Sequence, residues 1–389
     1  MMQLKSATRT ELISPFYVMA VLNRAKQLQA QGRDIIHLEI GEPDFPTSDS
    51  IIQAGIRQLK SGQIKYTPAA GLPELRQQIA EFYWQRYQVR INPQRIFITP
   101  GASGALLLAL SASLNPGDEL LLADPGYPCN SNFAHLLAVK PKLIPVTTSS
   151  AYQLTAQAIQ AAWTAQSKGV LIASPSNPTG TIISSEQLTA CINTTQALNG
   201  VFFSDEIYHG LSYGEDCVSA LQISDDVFVI NSFSKYFGMT GWRIGWLIVP
   251  EAAIEAVEKL TQNIFIATAT NSQYAALAAF LPETLAELEL RRSELQTRRD
   301  YLYNALIELG FDIPIKPNGA FYIYANASRF TDDSMQFALD LLEQQGVAIT
   351  PGKDFGQYKA EQHLRFAYTT SIARMSDAIQ RIHTFIKQG

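Results

Sequence analysis

The segment RIFITPGASGALLLALSASLNPGDELLLADPGYP, residues 95–128, decides the fold. It reads as a buried strand over 95–99, a helix that opens at PGASGA and stops at NPGD, and a second strand over 119–124. Further short β-rich runs follow it: VLIAS (170–174), VFFSD (201–205) and VFVINS (227–232). Helical patterns separate these runs, and one of them opens with capping-box spacing from Ser184 to Gln187. Strands that alternate with helices predict an α/β fold with a largely parallel sheet covered on both faces.

The pattern changes after Pro282. A long charged helix is predicted over 283–309, and two later β-rich segments, GAFYIYA and HLRFAYT, read as strands of a smaller sheet. The N-terminal segment ends in loop signals before the large α/β region starts, so we expect it to join the smaller one. The sequence thus predicts a large domain over 46–282 and a small α+β domain formed by 1–45 together with 283–389.

Composition excludes several classes of protein. The net charge is −5 and no basic cluster stands out, which argues against a nucleic-acid partner. The three cysteines are widely spaced and the histidines form no HxxxH pair, so neither a disulfide framework nor a metal site is expected. The first residues lack the apolar core of a signal peptide, and no apolar run is long enough to span a bilayer. These features predict a cytoplasmic protein without a membrane partner.

A single lysine stands out in SFSKYFGMTGWRIG, residues 232–245. Lys235 is surrounded there by apolar, aromatic and glycine residues. A charged side chain in such surroundings is costly unless it is paired or has a function. Lys235 is therefore either solvent-exposed or functional.

Polar residues follow the predicted strands of the large region. A glycine-bearing turn precedes the helix at Gly101, while Asn177, Asp205, Tyr208 and Lys235 come after later strands. Ligands of open α/β sheets bind beyond the carboxyl ends of the strands, and helix N-termini favour phosphate. A lysine amine forms a Schiff base with an aldehyde, and pyridoxal phosphate carries an aldehyde, a phosphate and a ring nitrogen. Together these residues suit that cofactor.

The chain resembles the class I/II aminotransferases, which are pyridoxal-phosphate enzymes of fold type I. SFSKYFGMTGWRIG looks like their lysine signature, in which an arginine follows the lysine by eight residues. GEPDFP and SPSNPTG reinforce the resemblance, which extends from near the start of the chain to HLRFAYT near its end. The resemblance implies a ping-pong aminotransferase that moves the amino group of an L-amino acid to a 2-oxo acid, with 2-oxoglutarate as the expected acceptor.

The resemblance also implies roles for individual residues. Lys235 is similar to the lysine that forms the Schiff base and moves the proton. Residues that resemble the family's phosphate ligands are Gly101, Ala102, Ser103, Ser232, Ser234 and Arg243. Asp205 matches the carboxylate that pairs with the pyridine nitrogen, and Tyr127 matches the aromatic ring that stacks on the cofactor.

Further matches concern the phenolic oxygen, the substrate and the partner subunit. Tyr208 and Asn177 resemble the donors to the cofactor's phenolic oxygen, and Asn177 is also expected to contact substrate. Arg365 resembles the arginine that binds the substrate's α-carboxylate, and Gly41 resembles the small residue beside it. Tyr66 is similar to a tyrosine that reaches the phosphate of the neighbouring subunit, which implies a homodimer with shared sites.

One departure from the family pattern concerns specificity. Aspartate-preferring members of the subgroup place a lysine near the start of the GASGAL helix, where this chain has Ser103. Lys353 and Lys65 are candidate replacements, and the apolar segment ISPF (13–16) is expected near the entrance. We therefore expect a broad range of amino donors without a strong preference for aspartate.

Two alternatives remain at the level of the sequence. One is a β-elimination enzyme of the cysteine-S-conjugate lyase type, which the same fold supports. The other is a non-catalytic ligand-sensing domain of a regulator. Such regulators add a DNA-binding helical domain, whereas only about forty residues precede GEPDFP here and they show no basic recognition helix.

Overall fold

The computed structural model describes residues 6–388. The strands, numbered along the chain, are β1 (Ile36–His37), β2 (Ile96–Thr99), β3 (Glu119–Asp124), β4 (Lys140–Pro145), β5 (Ser167–Ala173), β6 (Val201–Asp205), β7 (Phe228–Ser232), β8 (Gly245–Ile248), β9 (Tyr322–Asn326), β10 (Val347–Ala348), β11 (Thr350–Pro351) and β12 (His363–Ala367).

Helices separate most of these strands. The α-helices are α1 (Tyr17–Ala30), α2 (Asp49–Ser61), α3 (Pro73–Tyr87), α4 (Gly101–Ser113), α5 (Pro128–Leu136), α6 (Ala156–Ala162), α7 (Ser185–Ala197), α8 (Ile254–Ile264), α9 (Thr270–Leu277), α10 (Pro282–Glu308), α11 (Ser334–Gln345) and α12 (Ile372–Ile386). Short 3-10 turns lie at Thr8–Glu11, Pro93–Arg95, Thr148–Ser150, Ala220–Gln222, Thr240–Trp242, Glu251–Ala253, Ala278–Phe280, Gly352–Asp354 and Ala360–Gln362.

Seven strands form the main sheet, in the order β2-β8-β7-β6-β5-β3-β4. All neighbouring pairs are parallel except those of β8, which runs antiparallel to both β2 and β7. The carboxyl ends of β5, β6 and β7 therefore lie together at one edge of the sheet. This is the edge at which ligands bind in open α/β folds.

Both faces of the main sheet are packed, because its strands carry apolar residues on both sides. On one face, Phe97 of β2 and Leu120 of β3 pack with the apolar residues of α4. On the other face, Ile98 and Leu121 of the same strands pack with residues of α3 and α7. Near-continuous apolar runs are what a sheet covered on both faces requires. The predicted α/β fold is thus confirmed.

A three-stranded antiparallel sheet, β11-β12-β9, forms a second layer, and α10 and α11 contact it. The early strand β1 pairs in parallel with β10, and α1 contacts α11. The N-terminal segment thus lies beside elements from the last third of the chain. Within residues 6–388, no helix is long and apolar enough to cross a bilayer, and no cluster of acidic, histidine and cysteine side chains could hold a metal ion.

Candidate active site

The cavity around Lys235 has a volume of about 400 Å³ and lies at the carboxyl edge of the main sheet. Most residues singled out from the sequence line it: Gly41, Ala102, Ser103, Tyr127, Asn177, Asp205, Tyr208, Ser234, Lys235, Arg243 and Arg365. Gly101 and Ser232 lie directly behind this lining. Tyr66 does not line the cavity and is 81% exposed in the single chain.

Lys235 follows β7 and its amine is held inside the cavity. The Lys235 Nζ donates a hydrogen bond to the Gly41 carbonyl over 2.7 Å and lies 5.7–5.8 Å from the ring centroids of Phe321 and Tyr208. Burial lowers the pKa of the Lys235 amine to about 8 because an ammonium is poorly solvated there. A lysine with this pKa is partly neutral near pH 8 and can act as a nucleophile or base.

Two acidic residues lie at the end of β6, Asp205 as its last residue and Glu206 directly after it, and only Asp205 lines the cavity. Burial raises the pKa of the Asp205 carboxyl to about 6, while its Oδ1 accepts a hydrogen bond from the Ile207 amide over 3.2 Å. Glu206 turns the other way and accepts hydrogen bonds from the hydroxyl of Ser219 and the amide of Ala220. Of these two carboxylates, Asp205 is therefore the one available to a cationic group in the cavity.

An anion-binding corner forms where α4 begins. Gly101 has a φ of +69°, and a Cβ atom at this position would lie only 2.7 Å from Nη2 of Arg243. The guanidinium thus packs against the backbone at the N-terminus of α4, where free N–H groups favour an anion. The Ser232 and Ser234 hydroxyls lie 2.9 Å apart, and that of Ser234 lines the cavity.

A second arginine, Arg365, also lines the cavity. Arg365 on β12 is only 3% exposed. Its Nη1 donates to Asn177 Oδ1 over 2.9 Å, and its Nη2 donates to the Glu39 carbonyl and to the Thr350 hydroxyl. The Nε has no hydrogen-bond partner among the described residues. A buried guanidinium with a free donor in a cavity fits a carboxylate ligand.

Several cavity residues were not found from the sequence. Tyr322 places its hydroxyl 2.9 Å from that of Tyr208, and Asn130 lines the cavity with an Oδ1 that has no partner. The strand GAFYIYA was predicted, but its register places Tyr324 opposite Arg365, and the guanidinium lies instead over the ring of Tyr322. Alternation could show only that Tyr322 and Tyr324 share a face.

The other lysines do not reach this cavity. Lys353 lies 3.4 Å from Asp333 and lines a neighbouring cavity of about 710 Å³, and Lys65 lines neither. Of the lysines in residues 6–388, only Lys235 lines the catalytic cavity. Phe16, from the predicted entrance segment, does line it.

Taken together, the side chains fit a ligand of defined chemistry. Arg243 and the start of α4 suit a phosphate, Asp205 suits a protonated ring nitrogen, and the Lys235 amine suits an aldehyde. Arg365 remains free for a carboxylate of a second molecule. Pyridoxal phosphate with an amino acid satisfies this whole set of groups.

Comparison with known proteins supports the same chemistry. Residues 33–382 match the family model described as aminotransferase class I and II. The chain is 38% identical to a (5-formylfuran-3-yl)methyl phosphate transaminase of Methanocaldococcus jannaschii and to a valine–pyruvate aminotransferase of Mycobacterium tuberculosis. Each alignment covers 96% of this chain and 97% of the relative.

Solved structures agree with these matches. The crystal structure of an aminotransferase from Mycobacterium tuberculosis superposes with a TM-score of 0.96 at 37% identity, over 100% of both chains. An aspartate aminotransferase from Thermotoga maritima gives a TM-score of 0.92 at 32% identity, over 98% of this chain and 100% of that one. The chain therefore belongs to the class I and II aminotransferases and is a pyridoxal-phosphate-dependent enzyme that transfers amino groups between amino acids and 2-oxo acids.

Proposed function

We propose that this aminotransferase accepts a broad range of L-amino acids, including neutral and aromatic ones, and passes the amino group to 2-oxoglutarate. The observation that carries the proposal is the composition of the cavity. Its two arginines lie at the phosphate corner and at the α-carboxylate end. The remaining wall is largely apolar and includes Phe16, Met19, Leu106 and Phe133. Apart from Lys235, no other lysine or arginine of residues 6–388 lines this cavity.

The proposed cofactor ligands follow from the geometry above. The phosphate is assigned to Arg243, Ser232, Ser234 and the N-terminal residues of α4, namely Gly101, Ala102 and Ser103. Asp205 is assigned to the ring nitrogen, and Tyr127 to one face of the ring. Tyr208 and Asn177 are assigned to the phenolic oxygen. When bound at Lys235, pyridoxal phosphate supplies an electron sink for the negative charge that develops on the substrate's α-carbon.

The chain's own residues then carry out binding and proton transfer. Arg365 orients the substrate by its α-carboxylate, with Asn177 and Gly41 beside it. The Lys235 amine, whose pKa is lowered to about 8 by burial, exchanges a proton at the substrate's α-carbon. Asp205 keeps a negative charge beside the ring nitrogen and so favours its protonated form.

A donor panel tests the substrate proposal. Rates are measured with aspartate, alanine, methionine and phenylalanine against 2-oxoglutarate, and with glutamate against pyruvate. An ion pair with the second carboxylate of aspartate in a closed site would favour aspartate by ~100-fold or more in kcat/KM. Because the cavity lacks a cation for that carboxylate, we expect the advantage of aspartate over the neutral donors to stay below this value. Glutamate should serve as a donor, since 2-oxoglutarate is the usual acceptor among the enzymes that this chain resembles.

Ser103 offers a matched pair of variants for the same experiment. Ser103→Lys places a cation at the start of α4 and should raise the relative kcat/KM for aspartate by about 10-fold. Ser103→Gln adds a similar length without charge and should not. An aspartate preference above ~100-fold in the wild type contradicts the proposal. Ammonia release from a cysteine S-conjugate that outpaces amino transfer favours the lyase alternative.

The proposal extends to the assembly and the compartment. Exposed apolar side chains cluster in sequence around Tyr66 and around Ile266, which suits a surface covered by a second copy of the chain. In a homodimer, Tyr66 would also be able to bind the cofactor phosphate in the neighbouring subunit's site. Cys129, Cys191 and Cys217 are all free thiols, which is consistent with a cytoplasmic, reducing compartment.

The domain division is proposed on the same basis. A large domain over 46–282 contains the main sheet, and a small domain combines 1–45 with 283–389. The pairing of β1 with β10 supports the assignment of the N-terminal segment to the small domain. Residues 1–5 and 389 of that assignment lie outside the described part of the chain.

A further inference from the structure

Tyr322 contacts two of the residues to which roles are assigned above, Tyr208 and Arg365. It is the first residue of β9 and is 1% exposed. Its hydroxyl lies 2.9 Å from the hydroxyl of Tyr208, and its ring centroid lies 4.2 Å from the Cζ of Arg365. We propose that Tyr322 is a positioning residue with two tasks: its hydroxyl orients the Tyr208 hydroxyl, and its ring holds the Arg365 guanidinium. This proposal rests on the roles assigned above to Tyr208 and Arg365.

Close packing fixes the Tyr322 hydroxyl. A Cβ atom built at Gly41 would lie 2.4 Å from the Tyr322 oxygen, so the oxygen fills the space that any larger residue would need. The carbonyl of Gly41 is at the same time the acceptor for Lys235. Glycine at position 41 thus allows the phenol to approach the loop that follows β1, next to the reactive lysine.

The paired phenols determine where the Tyr208 proton points. Burial raises the pKa values of both Tyr208 and Tyr322, so both remain protonated at neutral pH. Among the described residues, the Tyr322 hydroxyl has no hydrogen-bond partner other than Tyr208. When Tyr322 donates to Tyr208, the Tyr208 proton is free to donate to a ligand in the cavity. The reverse arrangement would leave the Tyr322 proton without an acceptor.

The ring of Tyr322 acts on Arg365. The guanidinium lies between the ring of Tyr322 at 4.2 Å and the ring of Phe355 at 4.9 Å. Nη2 donates to two protein acceptors and Nη1 to one, so one N–H of Nη1 and the N–H of Nε have no acceptor among the described residues. Stacking between two aromatic rings restricts rotation of the guanidinium plane and is favourable for a desolvated cation. The free N–H groups of Arg365 therefore keep a constant direction.

The first test follows the hydroxyl. Tyr322→Phe keeps the ring and removes the O–H, and the readout is the pH midpoint of the visible absorption band of the pyridoxal-phosphate-loaded protein. When Tyr208 is a weaker donor, more negative charge stays on the cofactor's phenolic oxygen. The nitrogen that joins Lys235 to the cofactor then holds its proton more tightly. We expect the midpoint to rise by about 0.5–1 pH unit. Tyr324→Phe is the matched control, because it lies on the same strand face and outside this cavity.

Tyr208→Phe separates the possible failures of this test. Tyr208→Phe should raise the midpoint as well. The double variant should show no further rise, because the Tyr322 hydroxyl acts on the cofactor only through the Tyr208 hydroxyl. A midpoint that moves in Tyr208→Phe and stays at the wild-type value in Tyr322→Phe overturns the positioning role. A midpoint that does not move in Tyr208→Phe overturns the role proposed above for Tyr208, and the dependent role of Tyr322 with it.

The second test follows the ring. Phenylpropanoate, a carboxylate without an amino group, is titrated into the loaded protein by calorimetry. Tyr322→Leu should raise its Kd by about 3- to 30-fold, whereas Tyr322→Phe should leave it unchanged. An unchanged Kd in Tyr322→Leu together with a raised Kd in Arg365→Lys overturns the stacking role. An unchanged Kd in Arg365→Lys overturns the carboxylate assignment itself.

Discussion

At the scale of single residues, burial changes Asp205 and Lys235 in opposite directions. It raises the pKa of the carboxyl to about 6 and lowers that of the amine to about 8, because the charged form of each is poorly solvated. Both residues thus titrate near working pH, as acid–base groups of active sites do. Their identity could be predicted because each follows a strand within a short local signature. Tyr322 could not, because its role depends on a neighbouring strand.

Asp205→Asn keeps the shape of the side chain and removes its charge. The ring nitrogen then loses its counter-charge, and a buried, charge-assisted hydrogen bond is worth about 1.5–3 kcal/mol. We expect kcat to fall at least ~10-fold in steady-state assays. Burial gives the Asp205 carboxyl a pKa of about 6 without the cofactor, and the positive charge of a bound ring nitrogen should lower that pKa further. Asp205 should therefore stay charged in the loaded wild type, and kcat should show no acidic limb near pH 6 from this residue.

Glu206→Gln is the control for this change. It alters the adjacent buried carboxyl, which does not line the cavity, so kcat of the folded protein should be retained. If Asp205→Asn keeps the wild-type kcat and only binds the cofactor more weakly, then Asp205 positions the cofactor and does not tune its charge.

At the scale of elements, local patterns predicted most of the main sheet. The strands expected over 119–124 and 201–205 have those bounds in the structure, and the other expected strands differ by a few residues. β4 was missed because its sequence, KPKLIP, contains two prolines and two lysines. It is an edge strand, where these residues are tolerated. β8 was also missed, because it is only four residues long. Its antiparallel direction cannot be predicted from its amino-acid composition.

The N-terminus of α7 also shows how far a local sequence pattern predicts structure. The Ser184 hydroxyl accepts a hydrogen bond from the Gln187 amide, as the predicted capping box requires. The Gln187 side chain does not return a bond to Ser184 and donates instead to the Leu154 carbonyl. The local half of the motif was therefore right, and the other half was wrong because a residue more than thirty positions away supplies a competing acceptor.

At the scale of the whole molecule, the site is assembled from distant parts of the chain. Arg365 contacts Asn177 across 188 positions and Glu39 across 326. Such contacts depend on how the small sheet packs against the main one, and no sequence pattern specifies them. Tyr66 is outside this assembly in the single chain, as expected for a residue that serves a neighbouring subunit.

Hybrid dimers test the proposed shared site. Lys235→Ala and Tyr66→Ala proteins are unfolded and refolded together, and the activity of the mixture is compared with that of each variant alone. If Tyr66 serves the partner's site, each hybrid dimer has one intact site and recovers about half of the wild-type activity. If Tyr66 serves its own chain, or if the protein is a monomer, mixing adds nothing. Sedimentation should show twice the chain mass of 43.0 kDa.

The central claim is that amino transfer proceeds through Lys235, and a single-turnover reaction tests it most directly. The loaded protein is mixed with an amino donor, and both the loss of the yellow colour and the formation of 2-oxo acid are followed. The wild type should lose its colour and form one 2-oxo acid per site, and borohydride should fix the cofactor on Lys235. Lys259→Ala, at an exposed lysine paired with Glu255, should behave like the wild type. Lys235→Ala should be inactive, and a Lys235→Ala protein that transfers amino groups at the wild-type rate would contradict the account.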